Sequence, residues 1–388
     1  LNFLPGKKKK NKFTAVTKLN LDQLTDLYSL LSVEGIGPGK IRNLLSKFRS
    51  TDRILSADYN SLIEVEGIST NLVRRIQKIN QQRLKIKDGV EQELEKLGKL
   101  GGRIVTVWDE EFPSLLKKIF DPPLMLQIKG ELLKNDDYSI AMVGTRQPTN
   151  YGKIQAEKFA SDLAQQNITI VSGMARGIDS ISHISSLKSG GRTIAVIGSG
   201  LDVIYPPENK KLFEQIAESG AVISEFPLGT KPDAPNFPKR NRLISGLSLG
   251  CIIIETGITG GAMQTASFAL DQNREVFALP GNVGVKQSYG TNLLIQKGEA
   301  ELVRAAEDVL IELELKLKPV LGKNIPKQQV DLNLFEEKIL NILDSEALQI
   351  DKIAIEAKLS TSDCLVHLLS LEFKGMIKQL PGKMFALL

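Results

Sequence analysis

Three glycine-bearing stretches each follow a short apolar run and carry residue types suited to anion binding. They are Gly144-Thr145-Arg146, Ser172-Gly173-Met174-Ala175-Arg176-Gly177-Ile178-Asp179 and Gly198-Ser199-Gly200-Leu201-Asp202. Loops of this kind expose backbone N–H groups and helix starts to a negative ligand, for which phosphate is the natural candidate. A glycine at any one strand-to-helix turn merely relieves crowding, so the argument rests on these loops sharing one edge. A further cluster, Phe237-Pro238-Lys239-Arg240-Asn241-Arg242, sets cations and an amide beside an aromatic ring. That combination can hold a phosphate backbone and an unstacked base. Arginine near a helix start is electrostatically unfavourable without an anion close by, which favours a ligand over a solvated helix end. The run Thr256-Gly257-Ile258-Thr259-Gly260-Gly261-Ala262 could also wrap a phosphate, although it contains no lysine to reach one.

Sharper chemical patterns are missing. There is no GxxxxGK[ST], and Gly198-Ser199-Gly200-Leu201-Asp202-Val203 lacks the third glycine of a dinucleotide turn, which disfavours ATP and NAD; no cofactor is expected. Ser172 and Ser199 have no GxSxG setting. Asp179 and His183 are spaced to pair on one helix face, but the better reading is structural, with Asp179 capping the helix and His183 supporting the loop. With 2 histidines and 2 cysteines, Cys251 and Cys364, neither a disulfide framework nor a multi-ligand zinc site is expected. No catalytic set emerges.

The elements that must position these residues follow from periodicity. Short β-branched apolar runs at 140–143, 168–171, 194–197, 221–223, 251–254 and 276–279 read as buried parallel strands. Helical patterns at 151–166, 180–188, 208–218 and 263–272 intervene, so the fold class is α/β, a Rossmann-like doubly wound, mostly parallel sheet. Before it, Val33-Glu34-Gly35-Ile36-Gly37 recurs as Val65-Glu66-Gly67-Ile68-Ser69. This internal repeat resembles tandem helix-hairpin-helix (SAM-like) units, in which glycine turns approach DNA phosphates; Ser69 replaces the second glycine, and a structural role is as good a reading as DNA binding. After the sheet, Lys316 to Gln329 reads as an exposed linker. Three short helices and a hairpin then suggest a winged helix, whose third helix, with Asp363, His367, Glu372 and Lys374, suits a protein contact better than major-groove reading. The expected division is 1–20 basic tail, 21–94 helix-hairpin-helix-like domain, 98–315 α/β domain, 316–333 linker and 334–388 winged-helix domain.

Composition agrees with a folded, multidomain protein: 388 residues, 42% hydrophobic and 24% charged. The net charge of +5 is carried by lysines of the first twenty residues (Lys7, Lys8, Lys9, Lys10, Lys12, Lys18), so a nucleic-acid interface must come from local clusters rather than bulk charge. The run Lys7 to Lys10 reads as a solvated tail. No apolar run approaches the ~20 residues of a membrane span and no secretory signal opens the chain, so we expect a cytoplasmic protein with no membrane association. The chain begins with Leu1 rather than Met, as a fragment or processed form would.

Taken together, the motifs resemble the DNA processing protein A family (DprA, also called Smf). The matching residues run from Gly144-Thr145-Arg146 through Ser172-Gly173, Ala175-Arg176-Gly177-Ile178-Asp179 and His183, then Gly198, Gly200-Leu201-Asp202 and Tyr205-Pro206. They continue through Ser224-Glu225, Phe237 to Arg242, Gly246-Leu247-Ser248, Thr265-Ala266, Pro280-Gly281 and Gly290-Thr291-Asn292. The chain departs at Thr259, where the family often has serine, and at Gly261 and Gln264. The resemblance implies a non-enzymatic protein that binds single-stranded DNA taken up in natural transformation, dimerises through its Rossmann-like domain and helps load the RecA recombinase. By motif, Arg146 would contact DNA phosphate, Lys210 or Lys211 would add charge to the same pocket, and Lys239, Arg240 and Arg242 would be neighbours. DNA-binding residues are thus expected among Gly144, Thr145, Arg146, Ser172, Gly173, Arg176, Lys210, Lys211, Phe237, Lys239, Arg240, Asn241, Arg242 and Gly260. The rival reading is a nucleotide-processing enzyme that cleaves a base–sugar bond, but Pro280-Gly281-Asn282-Val283-Gly284 does not fit the PGGxGTxxE loop of that group. An interaction scaffold with no ligand is the third.

Overall fold

The computed structural model describes residues 17–321, 333–343, 348–373, 376–380 and 384–387; most of the expected basic tail lies outside them. Two compact units divide at Lys316 and Leu317.

The first unit opens with helices α1 (Leu21–Leu31), α2 (Pro38–Phe48), α3 (Thr51–Ser56), α4 (Tyr59–Ile63), α5 (Thr70–Asn80) and α6 (Arg83–Lys99). Both copies of the repeat form the same turn. The Ile36 and Ile68 amides donate to the Val33 and Val65 carbonyls at 3.0 Å, and Gly35 and Gly67 take φ of +89° and +80°, a region where a side chain is strained. Val33, Ile36, Val65 and Ile68 are all buried. Ser69 is no defect in the second copy: it is the N-cap of α5 and its hydroxyl accepts from the Leu72 amide.

The sheet strands are β1 (Gly102–Thr106), β2 (Met125–Gly130), β3 (Ser139–Val143), β4 (Thr169–Ser172), β5 (Thr193–Ile197), β6 (Ala221–Ser224), β7 (Gly250–Ile253), β8 (Glu275–Ala278) and β9 (Glu301–Leu302). Their spatial order is β1-β2-β6-β5-β4-β3-β7-β8-β9. All six apolar runs form strands of this sheet, and the pairs β3–β4, β4–β5, β5–β6, β3–β7 and β7–β8 are parallel. β1 and β2 add an antiparallel margin beside β6. The intervening helices are α7 (Asn150–Gln165), α8 (Ile178–Lys188), α9 (Lys210–Ser219), α10 (Asn236–Gly246), α11 (Gly261–Asp271), α12 (Tyr289–Gln296) and α13 (Ala306–Leu321). The chain winds outward from β3 to β6, and α10 returns it to β7 on the other side of β3. The order therefore reverses between β3 and β7, where an open α/β sheet leaves a crevice at its strand ends.

The helical hairpins and the sheet share one core, in which Leu27, Ile41, Leu62 and Ile76 belong with Ile104, Leu124, Ile197 and Val222. Arg42 on α2 reinforces the junction by donating to the Pro122 carbonyl at 2.9 Å and pairing with Asp121. The first hairpin thus packs against the margin of the α/β domain. Helix α13 continues through Leu321, so the first part of the expected linker is helical, with Val309 and Leu313 buried before it. Residues 322–332 lie outside the described ones.

The second unit holds α14 (Leu334–Ile342), β10 (Leu348–Gln349), α15 (Ile350–Ala357), α16 (Thr361–Phe373), β11 (Ile377–Leu380) and β12 (Met384–Leu387). β12 pairs with both β10 and β11, and Ile339, Ile353, Leu368 and Phe385 form its core. This is the winged helix, and a strand before α15 is the element the sequence did not suggest.

Candidate nucleic-acid interface

The loop after β3 is fixed at both ends. The Thr145 amide donates to the Glu255 carbonyl at 2.7 Å, and the Ile178 amide donates to the Thr145 carbonyl at 3.2 Å. Arg146 leaves this rigid turn exposed, with its guanidinium 5.6 Å from the centre of the Phe237 ring, and it joins no ion pair among the described residues.

Opposite it, α10 presents Phe237, Arg240 and Asn241. Arg240 is 6% exposed, donates to the Val196 carbonyl and faces Asp179. Gly173 makes that approach possible: a Cβ there would lie 2.2 Å from Arg240 Nη1 and 2.4 Å from Asp179 Oδ2. Burial pushes the Asp179 carboxyl up to about 6, against the pull of Arg240 and Arg146. Arg240 Nε finds no acceptor among the described residues, leaving a buried donor free.

Asp179 is the second residue of α8 rather than its cap, a position held by Gly177. Its carboxylate turns back to accept from the Ala175 amide at 3.3 Å. His183 does support the loop. Its Nε2 donates to the Gly173 carbonyl at 2.7 Å, and Nδ1 lies 2.6 Å from Thr193 Oγ1. Burial lowers its pKa to about 4, so the ring is neutral. The Asp179–His183 pair does not form.

These groups enclose two basins that share Arg146, Ala175, Phe237 and Arg240. One, of about 460 Å³, is bounded by Gly144, Thr145, Gln147, Asp179, Asn241 and the Thr256–Thr265 segment. Asp179 from the first turn of α8 and Gly261 and Ala262 from the start of α11 line it. The first α8 amide, that of Ile178, is spent on the Thr145 carbonyl, so the start of α11 is the helix end open to an anion there. The other is lined by Arg176, Gly198, Tyr205 and Phe237, with the two rings 6.2 Å apart and tilted by 47°.

Several expected residues fall elsewhere. Ser172 is fully buried and donates to the Met142 carbonyl. Arg176 lines the second basin, but Glu208 pairs with its guanidinium. Lys210 and Lys211 open α9, exposed, and line neither basin. Lys239 and Arg242 project from the other side of α10 into a separate groove of about 490 Å³ beside Ile36, Gly37 and Pro38. Arg242 is committed there, to both Glu225 oxygens at 2.6 and 2.5 Å and to the Asp121 carbonyl at 2.6 Å. Burial raises the Glu225 pKa while Arg242 lowers it. The run 239–242 is therefore split by helical phase.

Gln147, Gln264 and Thr265 line the larger basin without having been expected as binding residues, while Thr256 and Gly257 bring to it the 256–262 run read as able to wrap a phosphate. A signal existed: Gly261, Gln264 and Thr265 lie at i, i+3 and i+4 on α11 and share one face. Among the described residues no group of three or more His, Cys, Asp or Glu could hold a metal, and no helix is long and apolar enough to cross a membrane.

Comparison with known proteins places this arrangement. Residues 103–314 match the model of DNA recombination-mediator protein A, 326–383 the DprA winged helix domain and 28–78 the SAM-like helix-hairpin-helix tandem. Protein Smf of Synechocystis is 36% identical over 384 residues, 90% of this chain and 95% of its own length. The crystal structure of DNA processing protein A from Streptococcus pneumoniae superposes with a TM-score of 0.61 at 31% identity, covering 76% of this chain and 98% of that one. DNA processing protein A from Helicobacter pylori, whose structure is described in terms of its single-stranded DNA binding mode, gives 0.50 at 32% identity, covering 55% and 96%. With its hairpins, doubly wound sheet and winged helix all matched, the chain belongs to the DNA recombination-mediator protein A (DprA/Smf) family.

Proposed function

We propose that the protein binds single-stranded DNA along the strand-end crevice and passes it to the RecA recombinase, acting without covalent chemistry and as a homodimer through its α/β unit. One observation carries the reading: two arginines, Arg146 exposed and Arg240 buried with a free Nε, bracket an aromatic ring and the start of α11 in one continuous depression. Guanidinium groups and amides suit phosphate oxygens, and Phe237 and Tyr205 suit the face of any base, which is the chemistry of sequence-tolerant single-strand binding. A duplex hides its base faces. The binding reading is further supported by the state of the nearby titratable groups: Asp179 is engaged by Arg240 and the Ala175 amide, and His183 is sealed inside the unit.

The test is a mobility-shift titration with single- and double-stranded oligonucleotides of equal length. We expect tighter single-strand binding that weakens as salt rises; equal affinity for both forms, or none at low salt, would overturn the reading. Release of free base from nucleoside monophosphates would instead establish the enzyme. RecA transfer has its own measurement, the rate of RecA assembly on strands already coated by a single-strand binding protein. Dimerisation is checked by sedimentation.

A further inference from the structure

Beyond the wall formed by Thr145–Thr149 and Glu255–Thr256 lies another basin, of about 590 Å³, lined by Thr149, Asn150, Tyr151, Glu255, Pro280, Gly281, Asn282, Val285 and Ser288. It sits at the ends of β3, β7 and β8, on the far side of the loop that carries Arg146. The two sides are joined through one residue: the Glu255 carbonyl accepts from the Thr145 amide on the Arg146 loop, and the Glu255 carboxylate lines this basin.

The chemistry of the lining differs from that of the Arg146 crevice. No lysine or arginine contributes, and Glu255, 2% exposed, places a carboxylate where a phosphate would be repelled. Its two oxygens accept from the Thr149 amide at 2.9 Å and the Thr149 hydroxyl at 2.5 Å. A carboxylate has about four acceptor sites, so capacity remains for a donor from a ligand. Tyr151 is half-exposed, and its hydroxyl donates to the Pro280 carbonyl at 2.9 Å, which ties its ring across to the opposite wall. That wall is itself braced, since Asn292 bonds both the Gly281 amide and the Gly281 carbonyl at 3.1 and 2.9 Å. A braced basin with an aromatic ring and a buried acceptor suits a flat, uncharged ligand that bears N–H groups.

We propose that this basin is a nucleobase pocket, taking one unstacked base of the strand whose phosphate lies against Arg146, with Tyr151 against the ring and Glu255 accepting an exocyclic amine. The assignment rests on the single-strand reading above. It carries a base preference, because cytosine and adenine present an amine where thymine presents a carbonyl oxygen that a carboxylate repels.

The experiment compares equal-length oligo(dC) and oligo(dT) by fluorescence anisotropy at several salt concentrations, using the wild-type chain, Glu255→Gln and Tyr151→Ala. The wild type should bind oligo(dC) about fivefold tighter, about 1 kcal/mol, the typical net worth of one hydrogen bond. Glu255→Gln should bring the ratio to near one, because an amide can serve either base, and Tyr151→Ala should weaken both oligonucleotides. Neither should change the salt slope, since neither residue meets a phosphate. Tyr151 is exposed enough that its variant provides a folded test if Glu255→Gln proves unstable. Equal wild-type binding of the two oligonucleotides, or a preference that persists in both variants, overturns the pocket while leaving single-strand binding intact. Absence of binding to either oligonucleotide overturns both.

Discussion

Arg240 and Arg242 stand two residues apart on α10, and their surroundings differ in a way their sequence does not reveal. Arg242 meets Glu225 and the Asp121 carbonyl, which together use its guanidinium to tie α10 to the neighbouring loops. Arg240 meets Asp179, whose carboxyl burial holds near 6, and keeps an unbonded Nε at the edge of the Arg146 crevice. Arg242 has its guanidinium taken up by structural acceptors, whereas Arg240, although it faces a carboxylate, keeps a donor free at the crevice. A basic cluster in a sequence is therefore not a basic surface until helical phase and carboxylates from distant loops have divided it.

Replacing each partner in turn can break this comparison. Arg240→Ala strands the buried Asp179 carboxylate and should cost about 3–5 kcal/mol near pH 8, as breaking a buried pair does, with DNA affinity falling as well; a loss under about 1 kcal/mol in urea unfolding would mean the pair contributes little to the fold. Arg242→Ala leaves a carboxylate that water can reach and should cost less, about 1–3 kcal/mol. Its folded fraction should bind single strands within about twofold of wild type, because additive effects are expected for a site outside the crevice. A tenfold loss there would return Arg242 to the interface.

The sequence exposed the sheet because strands covered on both faces read as unbroken apolar runs, and it exposed the crevice because glycines gather at their ends. It could not expose which residues oppose the cations. Asp179 reaches α10 from the first turn of α8 and Glu225 from the loop after β6, and Glu208 reaches Arg176 from the approach to α9. Nor could it show that Lys210 and Lys211 stand outside the basins, since the turn through Tyr205 and Pro206 sets where α9 begins. The location of Glu255 between two basins depends on the β3–β7 crossover, which spacing does not encode.

Titration sharpens the contrast. The raised pKa of Asp179 means that the folded state holds this proton more tightly than the unfolded chain does. Its contribution to stability is present below about 4 and is lost as pH rises towards about 6. Protonation also removes a negative charge from beneath the expected phosphate, so single-strand affinity should rise about two- to fivefold as pH falls through 6. Asp179→Asn should bind tightly throughout and flatten that profile between pH 5 and 7. An unchanged profile in this variant would place the titrating group elsewhere.

The central claim, that the Arg146 crevice holds the strand, is tested most directly by the salt dependence of single-strand binding in Arg146→Ala. Because Arg146 is exposed and joins no ion pair among the described residues, its removal should leave the fold intact. Affinity should fall several-fold, and the slope of log affinity against log salt should shrink by about 0.7, one phosphate contact. A folded Arg146→Ala protein with wild-type affinity and wild-type slope would contradict the account and move the strand to another face of the molecule.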